Sequence, residues 1–147
     1  EDNLGSLYEK LMSLGADLVV KTVDAIASQT IQPQPQEDSQ ALRTAPKIFK
    51  ETGQVDWTAS ATAIHNLIRG LSPYPGAWTE LQGKTWKLFT SFPKDQNLPG
   101  KAPGEWESDF KTYLRFQCGE GHLTIHDLQL EGKKRMKVDE FLRGWKG

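Results

Sequence analysis

Two prolines, Pro73 and Pro75, separate a segment with helical spacing of apolar residues from a segment with strand spacing. Because proline has no backbone N–H and its ring clashes with the turn before it, Pro73 must end any helix that precedes it. Each proline also biases the preceding residue towards extended geometry. The chain must therefore change from helix to strand here, and Gly70 is well placed to be the left-handed residue that ends the helix.

A helix is expected immediately before the two prolines. Apolar residues recur there at three- and four-residue steps, which place them on one face of a helix. They are Ala61, Ile64, Leu67, Ile68 and Leu71. Thr58 and Ser60 both precede this run, so either can be its N-cap.

Short strands are expected after the two prolines, because apolar and polar residues alternate there between glycine-containing turns. The strands span residues 77–81, 85–92, 113–118 and 123–130, with one more beginning near residue 105. On the second strand, Trp86, Leu88 and Thr90 are expected to share one face. With a short closing helix over residues 138–143, the pattern predicts a small α+β domain, most simply a partly open β-barrel.

A second apolar stripe lies near the start of the chain. The residues from Ser6 to Glu9 fit a capping box, which predicts that a helix begins there. The stripe consists of Leu7, Leu11, Leu14 and Leu18, widened by Val19, Val20, Val23 and Ile26. A helix with so much apolar surface needs a partner. The polar, proline-bearing residues 30–38 that follow are typical of a linker, and a surface loop fits their composition equally well.

The composition excludes several classes of protein. With 147 residues, 37% of them hydrophobic and 25% charged, the chain is typical of soluble globular proteins. It contains no apolar run of about 18 residues, so no membrane span is expected, and its first residues lack the pattern of a signal peptide. A single cysteine, Cys118, suits a reducing compartment and is interpreted as a small buried hydrophobe. We therefore expect a cytoplasmic protein.

Residues that carry catalytic chemistry do not form a recognisable motif. His122 and His126 would share one face of a strand, but no third or fourth ligand lies at a spacing typical of zinc sites. Nucleophile, phosphate-loop and metalloprotease motifs are absent from the sequence, and no pair of carboxylates stands out. Tyr74 and Trp78 are interpreted as packed rather than reactive. We therefore expect a chain with no catalytic, cofactor-binding or metal-binding residues.

Basic residues are concentrated near the C-terminus. Residues 1–48 hold four basic and seven acidic side chains, whereas the remainder holds fourteen and twelve. Four of the basic ones lie close together between a predicted strand and the last helix: Lys133, Lys134, Arg135 and Lys137. Such a cluster can pair with the phosphates of a nucleic acid, in a sequence-tolerant and salt-dependent manner. A solvated surface loop is the alternative.

Four segments with specific motifs follow one another in a characteristic order. They are LGSLYEKLMSLGADLVVKTV, APKIFKETGQVDW, IRGLSPYPGAWTEL and LTIHDLQLEGKKRMKVDEFLRG. In this order, and over essentially the whole chain, they resemble the C-terminal half of the bacterial methionyl-tRNA formyltransferase family. Members of that family carry a formyl group from 10-formyltetrahydrofolate to the amino group of methionine on the initiator tRNA.

The resemblance implies a division of the chain. Family members have a Rossmann-like catalytic domain, a linker and an oligonucleotide-binding-like barrel that helps to hold the tRNA. Residues 1–31 would then be the helical end of the catalytic domain, residues 32–51 the interdomain linker, and residues 52–147 the barrel domain. The catalytic Asn, His and Asp of the family and its folate-binding loop have no counterpart in this sequence. The catalytic domain would therefore be a partner of the N-terminal helix.

The resemblance also implies contacts with the initiator methionyl-tRNA. These contacts would be to phosphates, which position an RNA without specifying its bases. The candidate residues are Lys133, Lys134, Arg135 and Lys137, then Lys47, Lys50 and Arg69. Arg69 can equally well cap the last carbonyls of its own helix. Lys137 stands where the family often has Ser or Thr, which weakens the cap of the last helix by about 1 kcal/mol.

Two other functions remain as alternatives. One is a free-standing RNA-binding barrel, against which the N-terminal helix without a partner argues. The other is a relative that formylates an amino sugar nucleotide or processes formylfolate. The basic cluster favours a tRNA acceptor over an amino sugar nucleotide or formylfolate.

Overall fold

The structure is a computed structural model that describes residues 1–36 and 43–145. The chain forms two compact units, one made of Glu1–Gly5 and Phe49–Gly147, called the sheet unit here, and one made of Ser6–Ile48. The helices are α1 (Leu4–Ala27), α2 (Ala61–Leu71) and α3 (Val138–Gly144), with a 3₁₀ turn at Glu51–Gly53. The strands are β1 (Ala77–Leu81), β2 (Lys84–Lys94), β3 (Trp106–Ser108), β4 (Leu114–Gln117), β5 (His122–Leu130) and β6 (Met136–Lys137).

Helix α2 forms as its apolar spacing predicts, but it ends one residue later than expected. Ser60 is its N-cap, and the hydroxyl accepts a hydrogen bond from the amide of Ala63 at 3.2 Å. The prediction that Gly70 ends the helix is wrong, because Gly70 lies inside α2 and has no positive φ. Ser72, which precedes a proline and is therefore driven to extended geometry, is the C-cap instead.

Residues 72–76, called the proline turn here, expose their aromatic side chain. The peptide bonds Ser72–Pro73 and Tyr74–Pro75 are both cis, and the amide of Gly76 donates to the carbonyl of Leu71 at 2.9 Å. Gly76 has φ 86°, a left-handed conformation that favours glycine. Tyr74 is 79% exposed, so the prediction that it is packed is wrong.

The strands form one antiparallel sheet in the order β1-β2-β5-β4-β3, with β6 paired to β5. The predicted strands and the closing helix are confirmed within two residues at each end. The sheet curls into a half-barrel, which confirms a mixed α/β fold with a partly open barrel. Its core includes Trp86, Phe116 and Ile64, each at most 2% exposed, and Phe141 of α3 meets the Trp86 ring edge-on at 5.0 Å between ring centroids.

Strand β2 carries an irregularity that the sequence did not predict. Its pairing with β5 shifts register between Leu88 and Ser91. Trp86 and Leu88 face the core before the shift, whereas after it the core-facing residue is Ser91, which is 1% exposed. Thr90 is half-buried and does not continue the buried face of Trp86 and Leu88. A β-bulge inverts the alternation of a strand in this way.

Helix α1 begins at Leu4, so the predicted capping box at Ser6 is wrong. The amide of Gly5 donates to the carbonyl of Ser72 at 3.0 Å, which satisfies one of the N–H groups that the first helical turn leaves free. No residue of α1 is buried. Among the helices that the structure describes, none combines the length and the hydropathy that crossing a bilayer requires. Residues 37–42 of the predicted linker lie outside the described residues.

Candidate nucleic-acid interface

One row of side chains crosses the sheet on the side opposite the core. Trp78 of β1, Lys87 of β2 and Gln129 of β5 lie directly opposite one another. Opposite residues in an antiparallel sheet share a face, and the next row, from Ala77 through Leu88, is fully buried. The first row therefore points away from the core.

A second row on the same side comes from the basic cluster. Lys137 of β6 pairs with Asp127 of β5. Arg135 contacts the Asp127 carboxylate at 3.4 Å, and its guanidinium lies 4.5 Å from the centre of the Phe89 ring. Arg135 is thus held against the sheet by an ion pair and a cation–π contact, and we call the surface made of these two rows the basic face.

The loop between β5 and β6 presents two lysines beside the basic face. Gly132 has φ 73°, and the amide of Lys133 donates to the carbonyl of Leu130 at 2.9 Å. The Gln129 side chain donates to the carbonyl of Lys133 at 2.8 Å, which ties the loop to β5. Lys133 and Lys134 are exposed, and within residues 1–36 and 43–145 neither forms an ion pair. In this they differ from Arg135, which is paired with Asp127.

Lys50 packs against Trp78 of the first row, whereas Lys47 lies in the other compact unit. The ammonium of Lys50 is 5.5 Å from the centre of the Trp78 ring, and the Trp78 indole N–H donates to the Lys50 carbonyl at 2.9 Å. Trp78 is half-buried and makes these contacts, so the prediction that it is packed is confirmed. Lys47 is exposed and belongs to the unit Ser6–Ile48, not to the sheet unit.

Arg69 neither caps its own helix nor joins the basic cluster. Its Nε donates to the Asn66 side-chain oxygen at 2.8 Å, and its Nη1 donates to the backbone carbonyl of Asp2 at 3.0 Å. The interpretation of Arg69 as a cap for the last carbonyls of α2 is therefore wrong. The guanidinium instead connects α2 to the first residues of the chain.

Lys87 is a candidate contact residue that the sequence reasoning missed. Its ammonium donates to the carbonyl of Pro75 at 3.2 Å, which fixes the lysine beside the proline turn. The available signal was its alternation with Trp86 and Leu88, which places Lys87 on the opposite face of β2. The residues of the basic cluster are neighbours in sequence, whereas Lys87 reaches the same surface through the pairing of β2 with β1 and β5.

The three histidines are held in separate environments. His65 contacts the Ser91 hydroxyl at 3.1 Å and the Glu1 carboxylate at 3.1 Å, and this hydrogen bond lowers the pKa of Glu1. The His122 ring is buried and bonds to the carbonyl of Gln96. His126 is exposed. Among the described residues, no group of three or more His, Cys, Asp or Glu could hold a metal ion.

Ser91 and Cys118 are both too buried to act as nucleophiles in this fold. Ser91, although hydrogen-bonded to His65, is 1% exposed. Cys118 is 0% exposed, which confirms that it is a small core residue, and burial raises the pKa of its thiol to about 11.

Lys137, the N-cap of α3, makes no side-chain cap hydrogen bond, which confirms the weak cap.

Comparison with known proteins identifies the family of this chain. Residues 47–146 match the family described as formyl transferase, C-terminal domain. The chain is 44% identical to a methionyl-tRNA formyltransferase of Phocaeicola vulgatus and 42% identical to one of Syntrophus aciditrophicus. Each alignment covers 99% of this chain, but 47% and 46% of the relatives, respectively. The chain therefore spans about half the length of the curated relatives it matches, and it aligns with their C-terminal part.

Solved structures share the fold at lower identity. HypX from Aquifex aeolicus matches with a TM-score of 0.63 at 24% identity, covering 88% of this chain and 24% of HypX. WlaRD, a sugar 3N-formyl transferase, matches with a TM-score of 0.58 at 16% identity, covering 90% of this chain and 46% of WlaRD. The family resemblance carried by the four sequence segments is confirmed. This chain belongs to the formyl transferase C-terminal domain family.

Proposed function

We propose that this chain is the tRNA-positioning part of a methionyl-tRNA formyltransferase. The whole protein would transfer a formyl group from 10-formyltetrahydrofolate to the amino group of methionyl initiator tRNA in the cytoplasm. Support comes from the 44% identity to proteins of that name over nearly the whole chain. The basic face and the β5–β6 loop would carry the tRNA contacts.

The observation that carries the tRNA role is the exposure of Lys133 and Lys134. Both ammonium groups project from a loop that hydrogen bonds fix in place, and neither is neutralised by a carboxylate among the described residues. Phosphates release counterions when they meet such charges, so each contact favours RNA binding most at low salt. Lys87, Lys50 and Lys137 extend the same positive surface across the sheet.

Arg135 has a different role within this proposal. Its guanidinium already pairs with Asp127 and covers the Phe89 ring. A group that is already paired gains less from a phosphate than an unpaired lysine does. Arg135 would therefore shape the basic face, while Lys133 and Lys134 supply most of the attraction. Lys47 and Arg69 remain candidates from the family resemblance, with weaker support.

The chemical step would belong to a part of the protein N-terminal to this chain. There, the amine of the aminoacyl-tRNA would attack the formyl carbon while general acid–base groups move the protons. Among the described residues, the contacts of His65 with Ser91 and Glu1 do not supply such groups, because Ser91 is 1% exposed and cannot reach a substrate. No residue of this chain is assigned to the folate.

The division of the chain follows from the same proposal. Residues 1–31 would be the end of the catalytic domain, residues 32–51 the linker, and residues 52–147 a barrel of the oligonucleotide-binding-like class. The catalytic domain would cover the apolar side of α1, where Leu11 is 58% and Leu14 is 65% exposed. The longer relatives, of which this chain spans about half, support that assignment.

Charge reversal of the exposed lysines tests the tRNA role. The variant Lys133→Glu/Lys134→Glu should bind initiator tRNA roughly tenfold or more weakly at low salt, and the slope of log affinity against log salt should fall by roughly two. The matched control is Lys101→Glu/Lys111→Glu, which reverses two exposed loop lysines on either side of β3. Fluorescence anisotropy measures both affinities. Unchanged tRNA affinity of the first variant at low salt would refute the role.

The enzymatic part of the proposal needs the whole protein. Supplied with 10-formyltetrahydrofolate, it should formylate methionyl initiator tRNA and leave an amino sugar nucleotide unmodified. Mass spectrometry of the released aminoacyl group and of the sugar nucleotide distinguishes the two acceptors. Formylation of the sugar nucleotide alone would instead identify a relative that formylates an amino sugar nucleotide.

A further inference from the structure

A cleft of about 570 Å³ lies between α2 and β2 in the sheet unit. On the helix side it is lined by Thr62, His65, Asn66 and Arg69, which recur at three- and four-residue steps on one face of α2. On the strand side it is lined by residues 89–93. Its volume lies within the range of small-ligand sites, roughly 300–1,000 Å³.

The cleft exists because β1 covers only half of β2. The pairing of the two strands ends at Ala77 opposite Leu88. Beyond that point, β2 continues from Phe89 to Lys94 without a described strand on this side. Helix α2 and the first three residues of the chain border the gap instead. The site is therefore bounded by two regular elements, α2 and β2, and by the residues that precede α1.

Phe92 forms an exposed aromatic wall of the cleft, and the bulge in β2 is what turns it outwards. By parity with Trp86 and Leu88, Phe92 would face the core. The register shift before Ser91 inverts that order and leaves Phe92 50% exposed. Its ring meets the ring of His126 edge-on, with 4.6 Å between centroids, so it is held in place while half of it stays accessible.

The polar groups of the cleft suit a neutral planar ligand better than a phosphate. Arg69 is the cationic lining residue, and the carboxylate-bearing Glu1 and Asp2 line the cleft with it. The side-chain oxygen of Asn66 accepts from Arg69, and Nδ2 is the donor group of this exposed amide. An amide donor and an aromatic ring that line one cleft are the kinds of group that recognise an unpaired nucleobase.

The cleft adjoins the basic face through Phe89. The Phe89 ring lines the cleft, and the guanidinium of Arg135 lies over that ring at 4.5 Å from its centre. A strand of RNA whose phosphates follow the basic face would therefore pass the mouth of the cleft. We propose that the α2–β2 cleft holds one unpaired nucleobase of the RNA, stacked on Phe92 and hydrogen-bonded to Asn66. This assignment rests on the proposed function and adds a base contact to its phosphate contacts.

Stacking and phosphate pairing respond differently to salt, which makes the site testable on this 147-residue chain. The probe is a single-stranded RNA about ten nucleotides long, a length that one such domain can cover, with a central 2-aminopurine. Phe92→Leu, which keeps an apolar side chain but no ring, should weaken binding roughly fivefold or more, by the same factor at low and high salt. It should also abolish the quenching of 2-aminopurine on binding.

The matched variant Phe92→Tyr keeps the ring and should retain both affinity and quenching. Asn66→Ala should weaken binding of the single strand without changing the salt slope. Thermal unfolding of each variant checks that the fold is intact, since a half-exposed side chain contributes little to the core. A duplex of the same length, which offers no unpaired base, should bind Phe92→Leu and the unaltered protein equally.

The outcomes separate this inference from the proposed function. If Lys133→Glu/Lys134→Glu weakens binding of the single strand but Phe92→Leu does not, the cleft is not a base site and the phosphate contacts stand. If neither variant changes the affinity, both the inference and the tRNA role fail. A Phe92→Leu effect that disappears at high salt would also overturn the base site, because it would then be electrostatic.

Discussion

Helices α1 and α2 both repeat apolar residues at three- and four-residue steps, but they differ in what covers those residues. In α2, Ile64 and Ile68 are at most 2% exposed beneath the curled sheet. In α1, Leu14 and Leu18 are 65% and 64% exposed. Periodicity therefore predicts a helix and the direction of its apolar face, whereas burial depends on the partner. Under the proposed function, the exposed apolar face of α1 is the one that the catalytic domain would cover.

Thiol accessibility is expected to give the largest contrast between the two helices' environments. Cys118 lies in the core that α2 covers, and burial raises the pKa of its thiol to about 11 from 9.0. The reactive thiolate is then about a hundredfold rarer at neutral pH, before steric protection is counted. In a Leu14→Cys variant, the added thiol should react with a disulfide reagent at least a hundredfold faster than Cys118, as followed by absorbance.

The same measurement in the whole protein tests whether another domain covers α1. If a catalytic domain covers α1, the cysteine of Leu14→Cys should become protected there while Cys118 is unchanged. Rapid reaction at position 14 in the whole protein would show that α1 remains uncovered. Cys118→Ser with Leu14→Cys identifies which thiol reacts, since it leaves one cysteine in the chain.

Truncation of matching apolar residues should change stability to very different extents. Ile68→Ala removes a side chain that is 1% exposed and should lower the free energy of unfolding by about 3 kcal/mol. Leu14→Ala removes one that is 65% exposed and should change it by less than about 0.5 kcal/mol. Urea unfolding followed by tryptophan fluorescence measures both. Equal losses would mean that α1 packs on the protein in solution.

The elements of the sheet unit were predictable because their signals are local. The Ser60 cap, the spacing of α2 and the glycine-containing turn between β1 and β2, at Gln82 and Gly83, all specify their structure within a few residues. The four motif segments also identified the family. The concentration of basic residues between a predicted strand and the last helix also located the exposed lysines, Lys133 and Lys134.

The features that were missed depend on contacts between distant segments. The bulge in β2 arises from its register with β5, so the outward position of Phe92 could not be derived from the alternation of β2 alone. Arg135 is equivalent to its lysine neighbours in the sequence pattern, yet in the structure it contacts Asp127 and Phe89. Helix α1 begins before Ser6 because the carbonyl of Ser72, far along the chain, accepts the amide of Gly5.

Two glycines of α1 distinguish its first turn, which is hydrogen-bonded to Ser72, from the exposed remainder of the helix. Substitutions at these glycines are expected to have the smallest effects on stability. An added Cβ at Gly15 would meet nothing within 4 Å, so Gly15→Ala should stabilise α1 by roughly 0.5–1 kcal/mol and raise the helical circular dichroism. A Cβ at Gly5 would lie 2.8 Å from Cδ of Pro73, and the ring or the helix must move. Gly5→Ala should therefore loosen the hydrogen bond to Ser72, and the amide at position 5 should exchange with solvent faster. If Gly5→Ala instead behaves like Gly15→Ala, the first turn of α1 is not held by the proline turn, and α1 would be uncovered along its whole length.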